Sequence, residues 1–286
     1  MNVYQIITER IIDSLSNGVV PWRRPWHTDA PRNLVSNREY RGVNVLVLQA
    51  SPYESPYWLT FNQARNLGGT VRKGERGTPV VFWKVSSEDR DERDEPEKRF
   101  VLRYFTVFNV AQCDGIEAPT GAARPAFDPI DACDRIVFRF DPGPRIDHRG
   151  SQACYVPGLD EVWMPRREAF TSPPEYYSTL FHELVHSTGA SHRLARKGVV
   201  DRTSFASHTY SQEELVAECG AAFLCNEGGI STATLANSAA YIASWSRLLR
   251  SEPRWIVHAA AQASKAADLI LGRSAKHGAE SPAEAA

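Results

Sequence analysis

Residues 182–186 read H-E-x-x-H, and this short pattern constrains the fold of the chain more than any other stretch. Ser172 and the three residues after it, PPE, form a helix-start signature, so the motif is expected on a helix that begins just after Ser172. Residues four apart on a helix lie one turn above each other, which lets His182 and His186 bind one metal ion. Glu183 can then reach a water molecule bound to that metal. The pattern predicts a catalytic zinc site, against the alternative of a surface helix that carries two histidines by chance.

The third protein ligand of such a zinc has two possible sources in the sequence. His192 completes the longer H-E-x-x-H-x-x-G-x-x-H spacing of metzincins. That class also needs a methionine turn downstream, whereas Met1 and Met164, the two methionines, both lie upstream. The other source is a glutamate on a second helix, and we favour Glu214.

Residues 211–218, SQEELVAE, predict that second helix. Glu214 and Glu218 lie one turn apart on the same face, so Glu214 can bind the metal while Glu218 orients a ligand histidine. Ser211 and Glu214 also spell a capping box, in which case Glu218 would inherit the metal. Tyr210, just before this helix, can donate to an oxyanion, although a core or capping role fits it equally. The predicted cofactor is Zn²⁺, with another divalent ion such as Mn²⁺ as the alternative.

The amino-terminal part is basic, although the 286-residue chain has a formal net charge of only −1. Residues 1–85 hold eleven Lys and Arg against six acidic residues, and nine of the eleven are Arg, which suits phosphate contacts and stacking. We therefore predict that this part binds single-stranded nucleic acid. The predicted contacts lie in a Trp/Arg loop, in a Gly-punctuated turn and at one further arginine: Trp22, Arg23, Arg24, Trp26, Arg72, Lys73, Arg76 and Arg41. Alternatively, either tryptophan fills the core and the turn is a solvated hairpin tip.

The pattern of elements indicates an α+β chain of two domains. A small N-terminal α+β domain, residues 1–118, is followed by a Pro- and Gly-rich linker, 119–130. A zincin-like domain of mixed sheet and helices then covers 131–273, and 274–286 is a frayed tail. Expected local elements include a hairpin of 79–85 with 100–110, strands at 135–140, 153–156 and 161–165, and helices at 234–250 and 253–271. The 161–165 strand is the candidate sheet edge for a peptide substrate.

Five cysteines with no C-x-x-C pair indicate reduced thiols in a cytoplasmic protein. No run of 18 apolar residues occurs, and the N-terminus lacks the features of a signal peptide. We therefore expect no membrane association.

Several blocks of sequence, in order, resemble the ArdC/TraC-type antirestriction proteins of conjugative plasmids. The blocks are PWRRPW at 21–26, YRGVN at 40–44, YWLTF at 57–61, GG-x-x-RKGE at 68–75, VFNVAQ at 107–112, HELVH-x-TG at 182–189, EELVAE at 213–218 and AYIASW at 240–245. The resemblance implies an N-terminal single-stranded-DNA-binding domain, a C-terminal zincin-like domain and protection of plasmid DNA from host restriction during conjugation. One departure is Ala190, where relatives often carry a histidine, and this weakens His192 as a family ligand.

Two functional hypotheses follow from the sequence and the resemblance. In the first, the protein coats incoming single strands and its zincin-like domain cleaves a protein, possible targets being proteins of the host restriction system. In the second, the metal domain is a structural scaffold and DNA binding alone gives antirestriction. Glu183 favours retained chemistry, because a purely structural site has no use for an acid beside an open zinc position.

Overall fold

The structure is a computed structural model that describes residues 2–16, 30–53, 55–87, 98–119, 129–170, 172–200, 208–230 and 239–273. Within these ranges, only the backbone is described for residues 83–87, 98–101, 129, 208–210 and 239–244. The predicted tail, 274–286, and most of the predicted linker, 120–128, lie outside the described residues.

The N-terminal part combines three helices with two small sheets. The helices are α1 (Val3–Ser16), α2 (Val43–Gln49) and α3 (Phe61–Asn66), and the strands are β1 (Arg32–Asn33), β2 (Tyr57–Thr60), β3 (Thr70–Val71), β4 (Thr78–Ser87), β5 (Lys98–Asn109) and β6 (Cys113–Asp114). The larger sheet has the order β1-β2-β5-β4, parallel between β1 and β2 and antiparallel elsewhere, and β3 pairs with β6. The predicted hairpin is confirmed as β4 and β5.

Side chains fix where these elements begin and end. Thr60 caps α3 with a capping box, because its side chain accepts the backbone N–H of Gln63 while the Gln63 side chain accepts that of Thr60. Asn44 of α2 makes two hydrogen bonds to the backbone of Val81, at 2.7 and 2.8 Å. Since β4 lies at one edge of the sheet, this contact satisfies backbone groups that would otherwise be unpaired there.

The C-terminal part is a three-stranded sheet with helices packed around it. The strands are β7 (Arg145–His148), β8 (Cys154–Val156) and β9 (Glu161–Met164), and the helices are α4 (Pro129–Arg139), α5 (Pro173–Ser187), α6 (Lys197–Val200), α7 (His208–Gly228), α8 (Ala239–Ser251) and α9 (Trp255–Ile270). The strand order is β7-β9-β8, parallel between β7 and β9 and antiparallel between β9 and β8. The expected α+β architecture, with a mixed sheet in this part, is confirmed.

One hydrophobic core spans both parts of the chain. Buried residues of α1 and α2 belong to the same cluster as buried residues of α5, α7, α8 and α9, including Ile7, Ile11, Leu15, Leu46, Leu184, Leu215, Leu249, Ile256 and Ala260. Polar contacts cross the same boundary: Thr8 Oγ1 donates to the carbonyl of Pro253 at 2.6 Å, and Ser264 Oγ accepts the backbone N–H of Gly42 at 3.1 Å. The two parts therefore share an interior.

Two local expectations from the sequence are wrong. The run Ile136-Val137-Phe138 predicts a strand over residues 135–140, yet these residues lie in and just after α4. Cys133, Ile136 and Phe140 recur at helical spacing and are buried, while Phe138 is 88% exposed. The second error concerns β9, which lies in the middle of its sheet and is not an edge, so it cannot pair with a substrate strand. The edge next to it is β8.

Candidate metal centre and nucleic-acid-binding surface

Helix α5 places the H-E-x-x-H motif as the sequence predicts. It begins after Ser172, whose side chain accepts the backbone N–H of Glu175, and prolines occupy its first turn. His182 and His186 lie on the same face, with Nε2 atoms 3.1 Å apart. Two imidazole lone pairs at this distance repel each other unless a proton or a cation lies between them, so the arrangement is suited to a cation.

The carboxylate of Glu214, on α7, completes a group of three ligand atoms. Its Oε2 lies 3.5 Å from His182 Nε2, and its Oε1 lies 3.5 Å from His186 Nε2. Metal–ligand bonds of about 2.1 Å at tetrahedral angles place ligand atoms about 3.4 Å apart. Distances of 3.1, 3.5 and 3.5 Å match that requirement, so these three residues fit zinc or a similar divalent ion.

A buried hydrogen-bond network fixes the orientation of the His186 ring. Its Nδ1 lies 3.2 Å from Oε1 of Glu213, and Arg196 donates two hydrogen bonds to that carboxylate at 2.7 and 2.9 Å. Arg196 also donates to Thr188 Oγ1 and to the carbonyl of Val185, both at 2.7 Å. With Nδ1–H donating to Glu213, Nε2 of His186 keeps its lone pair for a metal.

Electrostatics favours the charged forms of these groups. Burial by itself raises the pKa of Glu213, but its hydrogen bonds with His186 and Arg196 and their charges lower that pKa below its usual range. Burial by itself lowers the pKa of His182, but its hydrogen bond to Glu214 and the charges of Glu183, Glu218 and Glu214 raise it. Three carboxylates around one imidazole attract a cation, whether a proton or a metal.

Close helix packing brings Glu213 and Glu214 to the histidines. A Cβ at Gly220 would lie only 2.7 Å from Cγ2 of Val185, so α7 can approach α5 this closely only with glycine at that position. Helix α7 begins at His208, three residues before Ser211, so the alternative in which Ser211 and Glu214 form its capping box is wrong.

Glu183 is buried next to His182 on α5, and its carboxylate faces β8. Its Oε2 accepts the backbone N–H of Tyr155 at 2.8 Å, while its Oε1 has no hydrogen-bond partner among the described residues. The contact ties the acid to the free edge of the three-stranded sheet. The carboxylate is thus fixed in direction, with one oxygen left to exchange a proton.

His192 is not part of the group formed by His182, His186 and Glu214. It is exposed, and its Nε2 lies 3.4 Å from Oδ2 of Asp160, in the turn between β8 and β9. Asp160 accepts two hydrogen bonds from Arg193, at 2.7 and 2.8 Å, and a third from the hydroxyl of Tyr155 at 2.9 Å. Arg193 also donates to the carbonyl of Ser187, at the end of α5. Arg193 therefore links the turn between β8 and β9 to the C-terminal end of α5.

The predicted DNA contacts have unequal surroundings. Arg41 pairs with Asp268 of α9, and Arg72 donates to Glu75 at 3.0 Å and to the carbonyl of Ala111 at 2.6 Å. The side chains of Lys73 and Arg76 are exposed, and neither pairs with a described acidic residue. Trp22, Arg23, Arg24 and Trp26 lie outside the described residues, as does the side chain of Tyr210.

The comparison with known proteins agrees with this arrangement. Residues 1–108 match the N-terminal domain of anti-restriction factor ArdC, and residues 136–262 match a zincin-like metallopeptidase domain. A metal-free crystal structure of antirestriction ArdC from plasmid R388 is 36% identical, with a TM-score of 0.74, covering 94% of this chain and 97% of that one. The chain belongs to the ArdC family.

Other relatives of this ArdC family member differ in length. A Mn(II)-bound structure of the R388 ArdC protein is 37% identical, with a TM-score of 0.73, covering 96% of this chain and 99% of that one. Protein y4eC of Sinorhizobium fredii (strain NBRC 101917 / NGR234) is 38% identical over 93% of this chain and 91% of its own length. Two Escherichia coli proteins named DNA primase TraC are 33% and 32% identical, and this chain spans only 20% and 27% of them.

Sequence reasoning missed Glu213, Arg196 and the backbone of Tyr155. Glu213 stands beside Glu214 in the sequence, but no spacing rule distinguishes the candidate ligand from the neighbour that lies at Nδ1 of His186. Arg196 comes from the loop after α5, and only the folded chain brings it to Glu213. A buried metal-binding histidine needs an acceptor for its second nitrogen, and that requirement is the one sequence signal that points to an acid such as Glu213.

Among the helices in the described ranges, none is both long enough and apolar enough to cross a bilayer. The five cysteines are all free thiols, and four of them are buried.

Proposed function

We propose that this chain binds single-stranded DNA entering a recipient cell during conjugation and protects it from host restriction, and that its zincin-like domain is a metal-dependent peptidase. The group of His182, His186 and Glu214 is the observation that carries the peptidase part. Membership of the ArdC family and the basic N-terminal part support the DNA part. The proposed location is the cytoplasm, where both the DNA and a protein substrate of the restriction system would be met.

In the proposed reaction, His182, His186 and Glu214 hold the ion, with Zn²⁺ preferred and Mn²⁺ as the alternative. A bound zinc supplies Lewis acidity and lowers the pKa of a water ligand. Glu183 accepts a proton from the attacking water on Oε1, because Oε2 is engaged by Tyr155, and then returns that proton to the leaving amine. Glu218 adds negative charge near His182, and Tyr210 is the candidate donor to the oxyanion.

The proposed place for a peptide substrate is the edge of the three-stranded sheet. β8 lies at that edge, pairs with β9 on its other side, and carries the N–H that reaches Glu183. A peptide laid along this edge would have its backbone beside the acid, and of the outward groups of Tyr155 it would meet the carbonyl, since the N–H is engaged by Glu183.

A second function has its own supporting observation. The bond from Tyr155 N–H to Glu183 joins β8 to α5, so this acid also has a structural contact. If this contact is the only role of Glu183, the metal domain is a structural scaffold, and antirestriction depends on DNA binding alone.

The DNA-binding part is tested with the full chain and a fluorescent oligothymidylate. We expect binding whose log affinity falls linearly with log salt, with a slope of about −0.7 per phosphate contacted. A matched duplex of mixed sequence serves as the comparison. Failure to bind the single strand at low salt would show that the DNA part is wrong.

The peptidase part is tested with Glu183→Gln, a change that removes the base but none of the proposed ligands. We expect unchanged metal content by mass spectrometry, unchanged DNA affinity and loss of peptide cleavage. If cleavage continues in the metal-loaded variant, the mechanism is wrong. Antirestriction measured in the same variant then separates the two functions, since normal protection supports the scaffold and lost protection supports the peptidase.

A further inference from the structure

Part of one face of the four-stranded sheet is uncovered, and that part carries aromatic side chains. Tyr104, Thr106 and Phe108 alternate along β5 and so point to the same face. Leu102, the preceding residue on this face, packs against the large core, whereas Tyr104 is 49% exposed and Thr106 is exposed as well. Along β5 the cover over this face therefore ends between Leu102 and Tyr104, whereas Val81, opposite Tyr104 on β4, is still buried in the large core.

Phe61 extends this aromatic surface beyond the sheet. It is the first residue of α3, and its side chain is 52% exposed. Its ring meets that of Phe108 edge-on, with centroids 6.5 Å apart and planes at 64°. The backbone of Gly77 lies close to the side chains of Thr106 and Phe108. A Cβ at Gly77 would lie 2.2 Å from Thr106 Cγ2 and 3.0 Å from Phe108 Cζ. Gly77 thus contacts one side of Phe108, which is half-buried, while the rings of Phe61 and Tyr104 are the exposed part of this surface.

Three cations lie close in the chain to residues of this aromatic surface. Arg65 lies one turn after Phe61 on α3, and Lys73 and Arg76 lie in the loop that leads into Gly77. All three side chains are exposed, and none pairs with an acidic residue in the described ranges. They are therefore available to an anionic partner.

The nearest acid in the same loop is already neutralised. Glu75 accepts hydrogen bonds from Arg72, from the hydroxyl of Tyr53 at 2.9 Å and from the side chain of Gln112 at 3.0 Å. The charge of Glu75 is thus matched within its own network, and Lys73 and Arg76 give the loop an excess of positive charge.

We propose that these rings, the sheet-face platform (Phe61, Tyr104 and Phe108), stack against successive bases of single-stranded DNA while the three cations contact its phosphates. The proposal rests on the proposed DNA-binding function and identifies the surface that performs it. Aromatic rings for bases and a bordering line of cations for the backbone are the elements of sequence-tolerant single-strand binding. Paired bases in a duplex cannot reach such rings, so the platform selects the single strand.

The stacking part is tested in the full chain with Phe61→Ala and Tyr104→Ala, measured by fluorescence anisotropy with oligothymidylate. We expect each change to weaken binding by about 5- to 100-fold without altering the salt slope. Phe138→Ala is the matched control, because Phe138 is an exposed aromatic on α4, and it should bind as the wild type does. Phe61→Leu and Tyr104→Leu keep apolar bulk but lose the ring, and they should show the same loss, which excludes a folding defect as the cause.

The phosphate part is tested with Lys73→Gln and Arg76→Gln. Each should reduce the magnitude of the slope of log affinity against log salt by about 0.7. Arg139→Gln, which removes an exposed cation from α4, is the control and should leave the slope unchanged.

An abasic oligonucleotide decides whether rings and bases interact. It should bind the wild type and the two alanine variants equally weakly, because no bases are present to stack. If the wild type binds oligothymidylate while Phe61→Ala and Tyr104→Ala match Phe138→Ala, or if a duplex competes as well as the single strand, the platform is wrong and DNA binding stands. If the wild type binds no single strand, the proposed function and the platform both fail.

Discussion

Single residues around the histidines determine how firmly a metal can be held. Glu214 offers a candidate ligand atom, whereas the carboxylate of the neighbouring Glu213 lies at Nδ1 of His186 and is placed to fix its tautomer and direction through a hydrogen bond. Losing a ligand removes a bond to the ion, and losing a residue behind a ligand weakens metal affinity by about 10- to 100-fold. His192 has neither role in this arrangement, because its ring faces Asp160.

We therefore expect graded metal affinity in three variants, measured by competition with a chromophoric chelator. Glu214→Ala should lose the metal, Glu213→Gln should bind it about 10- to 100-fold more weakly, and His192→Ala should bind it as the wild type does. Loss of metal in His192→Ala with retention in Glu214→Ala would restore the metzincin alternative.

At the scale of elements, the turn between β8 and β9 keeps the sheet edge in place beside α5. Asp160 adopts a positive φ of 51°, a conformation that Asp and Asn tolerate better than most residues, and its carboxylate binds the buried guanidinium of Arg193. The hydrogen bonds from Arg193 lower the pKa of Asp160, although burial opposes this, and the bond from Tyr155 lowers it further.

Asp160→Asn should destabilise the fold by about 1–2 kcal/mol at neutral pH, allowing for partial solvent screening. The pKa of Asp160 is lowered on folding, so its charge stabilises the protein above the unfolded pKa of about 4 and loses this effect as the pH falls through the folded value. The difference between wild type and variant, measured by urea unfolding, should therefore be full at pH 7 and shrink below about pH 4. A difference independent of pH would show that the charge of Asp160 does not matter.

Elements with strong local signals could be predicted from the sequence. The cap at Ser172, the four-residue spacing of His182 and His186, and the hairpin of β4 and β5 all depend on neighbours in the chain. The short apolar run in α4 fits the period of a strand as well as that of a helix, and only the burial of Cys133 and the exposure of Phe138 distinguish the two. The edge position of β8 depends on strand order, which local patterns do not encode.

At the scale of the whole molecule, α1 is one of the elements that join the two parts of the chain. Its buried face, including Ile7, Ile11 and Leu15, lies against α8 and α9, although more than 200 residues separate α1 from them in the sequence. Each part matches its own family model in sequence, whereas the hydrophobic core contains residues of both parts. Where the boundary lies between the predicted domains 1–118 and 131–273 remains a prediction, although α4 begins at Pro129, inside the predicted linker 119–130.

Ile11→Ala should destabilise both parts together, by about 2–5 kcal/mol, because it leaves a cavity in the shared core. We expect one cooperative transition in guanidinium, with metal release and loss of DNA binding at the same midpoint, shifted to lower denaturant in the variant. Phe138→Ala, at an exposed site, should shift the midpoint little. Two separate transitions would show that the parts unfold independently.

The shared interior also limits how such chains can exchange pieces. A hybrid that joined the first hundred residues of one relative to the remainder of another would place the inner face of α1 against α8 and α9 side chains that were not selected to fit it. Exchange between relatives is then expected to preserve function only where the first helix and the last two come from the same parent. We therefore expect recombination breakpoints between α1 and α9 to be rare among relatives, which a comparison of their sequences would check.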